Sequence, residues 1–194
     1  YNKVAFNKDL SYINIDRLKL NHGREEVRLS GFLKDSTEKD LKLNFKNVRL
    51  SKITPDVDSL LLTGNVNGKL DILQKNGSYL PNSNIVINDF RVNKFLLGDF
   101  RANIVGNKDL TNYNVDVSID NDTEKTFKAV GDITVKGKNA TMDVDLTLDK
   151  LNLTPLNPLL VDVLSNIRGE VTGTANVVGS VNKPDINGDL RLDR

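Results

Sequence analysis

Few residues in this 194-residue chain have the types and spacing that catalysis requires. Cysteine is absent and histidine occurs once, as His22 beside Gly23, so a cysteine–histidine pair is excluded. A serine–histidine–aspartate triad needs a positioned serine, and the Gly-x-Ser-x-Gly turn does not occur. We therefore predict that His22 is a surface side chain in a turn, and we expect no catalytic residue and no enzyme activity.

A glycine-rich run and a series of carboxylates are the remaining candidates for binding chemistry. Residues 169–174 read Gly-Glu-Val-Thr-Gly-Thr, but they lack the Lys-Ser/Thr ending and the following helix of a phosphate-binding loop. These glycines are instead typical of places where strands bend or approach closely. The carboxylates cluster in two groups, Asp143, Asp145 and Asp149, and Asp116, Asp120 and Asp122.

A calcium site needs several oxygens that converge from a loop of fixed spacing. The first carboxylate group instead alternates with apolar residues, which indicates the polar face of a strand. We predict a solvated outer face, with no metal ion and no cofactor.

Composition narrows the classes of partner. The net charge is +1, and lysine and aspartate are interspersed, so no basic cluster indicates nucleic-acid binding. No apolar run reaches the about 18–20 residues that cross a bilayer, and no signal peptide is present. The chain begins at Tyr1 and ends in the middle of an alternating pattern, so we expect it to be a fragment of a longer protein.

The elements that carry these residues are strands. Apolar residues alternate with polar ones at 113–119 and 142–148, and more briefly at 41–45 and 133–135. Alternation with period two predicts strands with one apolar face and one wet face. A wet outer face favours antiparallel pairing. The predicted fold class is all-β.

A polar doublet interrupts the alternation within four of the strands. The doublets are Asp16-Arg17, Lys46-Asn47, Asn88-Asp89 and Asp149-Lys150. A straight strand would turn its apolar face over at each doublet, whereas a bulge inserts one residue, bends the strand and keeps the face on one side. The alternative is a tight hairpin between very short strands at each doublet. We favour the bulge, which predicts a sheet folded along its length.

The chain also repeats itself. Asn-Lys-Asp-Leu occurs at 7–10 and 107–110, and Gly31 recurs as Gly131. Leu-Ser-Lys-Ile-Thr-Pro at 50–55 resembles Leu-Thr-Pro-Leu-Asn-Pro at 153–158. Fixed-period similarity indicates stacked units. We predict one continuous body over residues 1–194, built of two repeats at about 7–95 and 107–194.

One segment predicts a helix. In residues 156–165 the apolar positions recur at helical spacing, Asn157 can cap the helix and Pro158 suits its first turn. The helix either lies in the interior of the folded sheet or caps one end of a core. Its apolar positions are Leu156, Leu159, Leu160, Val163 and Leu164.

The apolar face of the strands is almost wholly aliphatic. It lacks the aromatic platforms on which sugars and bases stack. Such a face suits acyl chains, or it is an ordinary core sealed by a second sheet, and composition alone favours the core.

Three segments at the C-terminal end occur in an informative order. They are a Leu/Pro segment at 151–158, Ile-Arg-Gly-Glu-Val-Thr-Gly at 167–173, and Val-Val-Gly-Ser-Val-Asn-Lys-Pro at 177–184 followed by Ile-Asn-Gly-Asp-Leu-Arg-Leu at 186–192. This series resembles the TamB family of AsmA-like proteins. The first repeat follows the pattern more loosely, with Gly64, Val66, Gly68 and Pro81 but no glycine after the proline.

The resemblance implies a β-taco, a long curled open antiparallel sheet around an aliphatic trough. It also implies a protein of the diderm periplasm that is anchored in the inner membrane outside this segment and reaches the outer membrane. It further implies a bridge that carries phospholipids, and an Omp85-type outer-membrane barrel as partner. We expect about 15–18 strands at a spacing of about 4.8 Å.

On this hypothesis the aliphatic residues line a groove that holds phospholipid acyl chains. Two alternatives are an assembly module that holds substrate strands at an open sheet edge, and a structural spacer with a closed core. The predicted groove-lining residues are Ile13, Ile15, Leu29, Leu41, Leu43, Phe45, Val66, Leu70, Ile72, Ile85, Ile87, Tyr113, Val115, Val117, Ile119, Ile133, Val135, Val144, Leu146, Leu148, Val171, Ala175 and Val177.

Overall fold

A computed structural model describes residues 2–35, 37–54, 60–75, 78–109, 111–121, 124–137, 139–156 and 168–193. These residues form one twelve-stranded sheet in which the order of the strands is their order in the sequence. Every neighbouring pair is antiparallel. The predicted all-β, open antiparallel fold is confirmed.

The strands are long, and two short 3₁₀ turns accompany them. The turns span Leu50–Lys52 and Thr154–Leu156. The strands are β1 Lys3–Phe6, β2 Tyr12–His22, β3 Glu25–Lys34, β4 Glu38–Arg49, β5 Leu62–Lys75, β6 Ser78–Val92, β7 Phe95–Gly106, β8 Asn112–Asn121, β9 Glu124–Lys136, β10 Asn139–Asn152, β11 Glu170–Ser180 and β12 Lys183–Asp193.

The expectation of 15–18 strands was wrong for the described residues, which hold twelve. The reason is that most strands run for 10–15 residues, and the four strands that contain a polar doublet pass through it without ending there. At a spacing of about 4.8 Å, twelve strands extend roughly 53 Å along the stacking direction.

The polar doublets are β-bulges, as predicted, and the hairpin alternative is wrong. The pairing register shifts between Ile15 and Leu18 in β2, and at the corresponding positions of β4, β6 and β10. In each case the two residues of the doublet oppose one residue of the next strand. We call these four places corners.

Two turns six strands apart are built in the same way. Asn7 accepts the backbone N–H of Tyr12 on its side-chain oxygen at 2.9 Å, and Asn107 accepts that of Asn112 at 3.2 Å. In both turns the asparagine amide also donates to a hydroxyl, that of Ser11 or Thr111. The shared bonds agree with an internal repeat, whose boundaries at 7–95 and 107–194 stay a prediction.

The buried hydrophobic side chains form clusters along the sheet. One cluster joins Phe45, Val48 and Leu50 to Val66 and Ile87 on the next two strands. A second contains Val92, Leu97 and Ile119, and a third contains Tyr113 and Val135.

The predicted helix at 156–165 falls mostly outside the described residues. Only Leu156 belongs to them, at the end of the 3₁₀ turn Thr154–Leu156. Leu159, Leu160, Val163 and Leu164 lie outside them, so their helical packing stays a prediction. Among the described residues, no helix is long and apolar enough to span a bilayer.

Candidate functional site

The strand register places the predicted groove residues on one face of the sheet. Side chains directly opposite each other in neighbouring strands project from the same face. One unbroken row crosses from β2 to β12 and consists of Leu18, Leu29, Leu43, Leu70, Ser83, Ile104, Val115, Gly131, Val144, Val177 and Ile186.

A second row runs beside the first and is equally free of charge. It consists of Leu20, Val27, Phe45, Gly68, Ile85, Ala102, Val117, Ala129, Leu146, Ala175 and Gly188. These rows define the apolar face, and the side chains between them define the polar face. The apolar face is therefore continuous over eleven strands, and only one of its residues in these two rows, Ser83, carries a polar side chain.

The sheet curls around this face. Leu73 of β5 packs against the cluster of Tyr113 and Val135, which belong to β8 and β9. In a flat sheet, strands three positions apart are separated by about 14 Å. Contact across that distance requires that the sheet bend, which gives the apolar face the form of a trough.

None of the 23 predicted groove residues is exposed. About half of them are less than a tenth exposed, namely Ile15, Phe45, Val66, Ile87, Tyr113, Val115, Ile119, Val135, Val144, Val171, Ala175 and Val177. The others, Ile13, Leu29, Leu41, Leu43, Leu70, Ile72, Ile85, Val117, Ile133, Leu146 and Leu148, are half-buried. Their role in holding a ligand stays a prediction.

Exposure rises sharply where the stack of strands ends. Phe6 of β1 is 66% exposed although it opposes the half-buried Ile13, and Ile186 of β12 is 65% exposed although it opposes the buried Val177. Burial on the apolar face therefore depends on a neighbouring strand at each side.

The sequence prediction missed several residues of this face. Val48 and Leu151 come directly after a corner, where alternation resumes, and both are buried. Their position after a polar doublet was a usable signal. Leu97 and Val92 flank the β6–β7 turn and are also buried, but no alternating run marks Leu97.

At three of the four corners, a side chain of the neighbouring strand accepts a hydrogen bond from the bulge and holds it in place. The backbone N–H of Asn47 donates to the Asn67 side-chain oxygen, and that of Lys150 donates to the Thr172 hydroxyl at 3.0 Å. The backbone N–H of Asp89 likewise donates to the Asp99 carboxylate at 3.1 Å. The donor in each bond has a positive φ, between 48° and 52°. The single residue opposite each bulge thus satisfies the N–H that the bulge takes out of the ladder.

At two of the corners, a glycine occupies the position opposite the last residue before the bulge, where it lies very close to the next strand. Gly68 opposes Phe45, the last residue before the second corner, and has φ 119°. A Cβ at this position would overlap the backbone carbonyl oxygen of Asn84 on the next strand. Gly173 is in the same position beside the fourth corner, where a Cβ would overlap the Asp189 carbonyl oxygen. No other residue fits these places without moving the backbone.

An ion-pair cluster closes one rim of the trough. The Glu25 carboxylate accepts hydrogen bonds from Lys52 Nζ and Arg49 Nε, each at 2.6 Å. These two hydrogen bonds lower the pKa of Glu25 to about 2, and the bond from Lys52 has the larger effect. Beneath the cluster, Leu20, Val27, Val48 and Ile53 line a small cavity of about 180 Å³.

The carboxylates and the histidine that the sequence offered for binding or catalysis lie away from the apolar face or at its rim. Asp143 and Asp145 are exposed on the polar face, and the Asn176 amide donates to both of them, at 3.0 and 2.9 Å. Within the described residues, no three acidic, histidine or cysteine side chains converge in a way that holds a metal ion. His22 is exposed at the rim cavity, and Asp122 lies outside the described residues.

Comparison with known families decides what kind of protein carries this trough. The family model described as TamB, N-terminal domain, matches residues 58–192, which is more than half of the chain. The chain belongs to the TamB family. No curated protein and no solved structure gives a significant match.

Membership of the TamB family assigns the chain to the translocation and assembly module of the cell envelope. This family is a transport and assembly component that works with the outer-membrane assembly machinery, and not an enzyme family. The matched range begins after β4, yet β4 pairs along its length with β5, so the first four strands continue the TamB sheet.

Proposed function

We propose that this segment is part of a periplasmic bridge that carries phospholipids between the inner and outer membranes. In this proposal the acyl chains lie in the trough. The observation that supports it is the continuity of the two uncharged rows across eleven strands. Such a surface offers no single binding pocket and no catalytic group.

The free energy of binding suits a lipid that moves along the trough better than a lipid that is stored at one place. Each CH₂ group that leaves water for an aliphatic surface gains about 0.8 kcal/mol. A chain that slides from Leu43 toward Leu70 and beyond exchanges one aliphatic contact for another of the same kind. The free energy therefore changes little along the row, so a lipid is held strongly but moves without a large barrier.

The two ends of the bridge belong to other parts of the full-length protein, and we infer them from the TamB family. We propose an anchor in the inner membrane elsewhere in the full-length protein, and an Omp85-type barrel as partner at the outer membrane. The direction of transport then depends on these ends, because the trough itself has the same aliphatic character throughout.

The test compares two substitutions at adjacent residues on opposite faces. Leu146 lies on the apolar face between Ala129 and Ala175, and Thr147 is exposed on the polar face. Because a carboxylate on an apolar surface has no partner, Leu146→Asp should reduce the phospholipid recovered with the purified segment, whereas Thr147→Asp should not. Lipid is measured by extraction and mass spectrometry, and folding by circular dichroism.

A second variant covers the case in which Leu146→Asp does not fold. Ala175→Phe fills the same part of the trough without adding charge and should also lower lipid recovery. The proposal is wrong if the wild-type segment yields no phospholipid and binds no apolar dye, or if the folded variants bind lipid as the wild type does.

A second candidate function is the holding of substrate strands during outer-membrane protein assembly. The observation that favours it is the simple antiparallel stacking of the sheet, in which each strand adds to the edge of the one before and β12, with all eleven residues exposed, accepts a further strand from this protein or from a substrate. An extended peptide can add to such an edge by main-chain hydrogen bonds. Protection of the β12 amides from hydrogen exchange by an outer-membrane strand peptide would support this function.

A structural spacer with a closed core is the remaining alternative. It predicts that Leu146→Asp unfolds the segment outright, because a core has no route by which the carboxylate reaches water. Loss of the folded spectrum in Leu146→Asp together with unchanged lipid recovery in Ala175→Phe would favour the spacer.

A further inference from the structure

The small cavity at the rim of the trough joins an apolar wall to a pair of cationic side chains. Its wall consists of Leu20, Val27, Val48 and Ile53, and Lys52 also lines it. Val48 is 3% exposed, whereas Leu20 is 56% exposed and Ile53 is 44% exposed. Because Leu20 and Val27 belong to the second uncharged row, the cavity continues the apolar face up to the charged rim.

The two cations of this rim retain unused hydrogen-bond donors. Glu25 accepts one bond from Lys52 Nζ and one from Arg49 Nε, each at 2.6 Å. The two terminal amino groups of the Arg49 guanidinium and the remaining protons of the Lys52 ammonium bond to no described residue. The Arg49 side chain is 56% exposed and that of Lys52 is 39% exposed, so a ligand can reach these donors.

The rim cluster also carries a surplus positive charge. The single carboxylate of Glu25 faces two cations. Glu26 lines the same cavity, but its carboxylate already pairs with Lys19 and Arg28, each at 2.7 Å. A ligand with one negative charge would therefore neutralise the cluster without displacing Glu25.

The fold itself does not require these cations. Val48 and Leu151 are the first residues after the second and fourth corners, and a 3₁₀ turn follows each of them. At the fourth corner, Asn152 and Pro155 occupy the positions that Arg49 and Lys52 hold at the second. Because an uncharged turn closes the same kind of corner, the cations of the second corner are free to serve a ligand.

We propose that this rim binds the headgroup of a glycerophospholipid. Its phosphodiester lies on Arg49 and Lys52, and the first carbons of an acyl chain lie against Leu20 and Ile53. This headgroup site presupposes the lipid transport proposed above. A phosphodiester carries one negative charge, which matches the surplus charge of the rim. The guanidinium fork can donate to two phosphate oxygens at once, an arrangement that a lone ammonium does not offer.

The site changes how a lipid moves along the trough. The two uncharged rows hold an acyl chain about equally well at each strand, whereas the second corner adds charge-assisted hydrogen bonds to the headgroup. Such bonds raise the affinity by about tenfold or more. A phospholipid should therefore stay longer beside β2, β3 and β4 than beside strands whose rim is uncharged.

Titration of the 194-residue chain, followed by two-dimensional NMR, tests this site. The amide signals of Leu20, Val27 and Ile53 report binding at the cavity itself. The probes are dihexanoylphosphatidylglycerol and dihexanoylglycerol, both kept below the concentration at which they aggregate. They have the same acyl chains, and only the first carries a phosphodiester. We expect the phospholipid to bind at least about tenfold more tightly than the diacylglycerol.

Removal of the cations should abolish this difference. Arg49→Gln/Lys52→Gln should bind the phospholipid at least about tenfold more weakly than the wild type, with unchanged affinity for dihexanoylglycerol. Adding Glu25→Gln to this double variant leaves no unpaired carboxylate, so the triple variant covers the case in which the double variant does not fold. The control, Lys108→Gln/Lys136→Gln, removes two positive charges at exposed positions in or beside turns and should bind both probes as the wild type does.

The outcomes separate this site from the trough. Equal affinity of the wild type for both probes would overturn the headgroup site and leave lipid transport standing, whereas no binding of either probe would overturn both. A folded cation variant that binds the phospholipid as tightly as the wild type would also overturn the site. Glycerophosphoglycerol, the headgroup without acyl chains, should bind at least about tenfold more weakly than the phospholipid. Equal binding would overturn the proposal in favour of a site for soluble phosphodiesters.

Discussion

Asn67 accepts the backbone N–H of Asn47 at 2.8 Å, across the second corner of the sheet. The bond matters because Asn47 has left the ladder, where its N–H would otherwise bond to a backbone carbonyl of the neighbouring strand. The same relation recurs between Lys150 and Thr172 at the fourth corner, six strands later. The bend of the trough is thus held by a side-chain acceptor at a fixed place and not by the turn residues alone.

Removal of this acceptor should destabilise the second corner. We expect Asn67→Ala to lower the free energy of unfolding by about 1–3 kcal/mol, since the Asn47 N–H in this partly buried place is then unsatisfied. Asn67→Thr should recover part of the loss, because Thr172 shows that a hydroxyl can accept this bond. Urea unfolding measures both. Asn103→Ala, at an exposed position of the polar face, is the control, and an equal loss there would contradict the role of the bond.

Gly68 should not tolerate a side chain. An alanine Cβ would overlap the Asn84 carbonyl oxygen, and the positive φ is itself unfavourable for alanine. We expect Gly68→Ala to cost about 3 kcal/mol or more in the free energy of unfolding. Gly137→Ala separates the two causes, because Gly137 has φ 62° and no heavy atom within 4 Å of the added Cβ. It should cost only about 1 kcal/mol, and a similar loss at both sites would show that φ alone is responsible.

Glu25 should make the stability depend on pH in the acid range. Its pKa is lowered from 4.5 to about 2, so the folded state binds the proton less well than the unfolded state. The stabilisation is then fully present above pH 4.5 and is lost as the pH falls toward 2. The midpoint of urea unfolding should fall less steeply over this window in Glu25→Gln than in the wild type. Glu170→Gln, at an exposed position, should keep the wild-type slope.

The β12 edge should drive slow aggregation of the segment. Ile186 projects an apolar side chain at an unpaired edge, where 65% of it is exposed. Because a charge at an edge opposes strand addition, Ile186→Lys should slow aggregation, whereas Ile186→Val should not. Light scattering measures the rate. Equal rates for both variants would show that another surface aggregates.

The sequence indicated the strands and the corners well. Alternation at 142–148 predicted β10, and the doublet Asp149-Lys150 predicted its bulge, because both signals are local and have a fixed period. The number of strands was overestimated because the strands are longer than the alternating runs that mark them: β5 and β6 run for 14 and 15 residues. The order of the strands follows from short connections between neighbours, yet no local pattern specifies how far the sheet curls.

The site was only partly predictable for a related reason. Leu146 and Val177 were identified from alternation, but Leu97 follows the tight turn at Asn93-Lys94 and belongs to no alternating run. The close approach at Gly68 depends on the path of β6, which only the paired structure reveals. The continuity of the two uncharged rows is likewise invisible in the sequence, because residues that are adjacent in a row are 7 to 33 positions apart in the chain.

The uncrossed order of the strands has a mechanical consequence for the bridge between two membranes proposed above. Interstrand hydrogen bonds lie perpendicular to the strands, so a pull between β1 and β12 acts directly along those bonds. Each strand is held only by its two neighbours, and tension therefore opens one strand pair at a time instead of shearing many together. Under such a load the segment should lengthen at low force as one hairpin after another opens. It should refold by pairing strands onto any hairpin that remains.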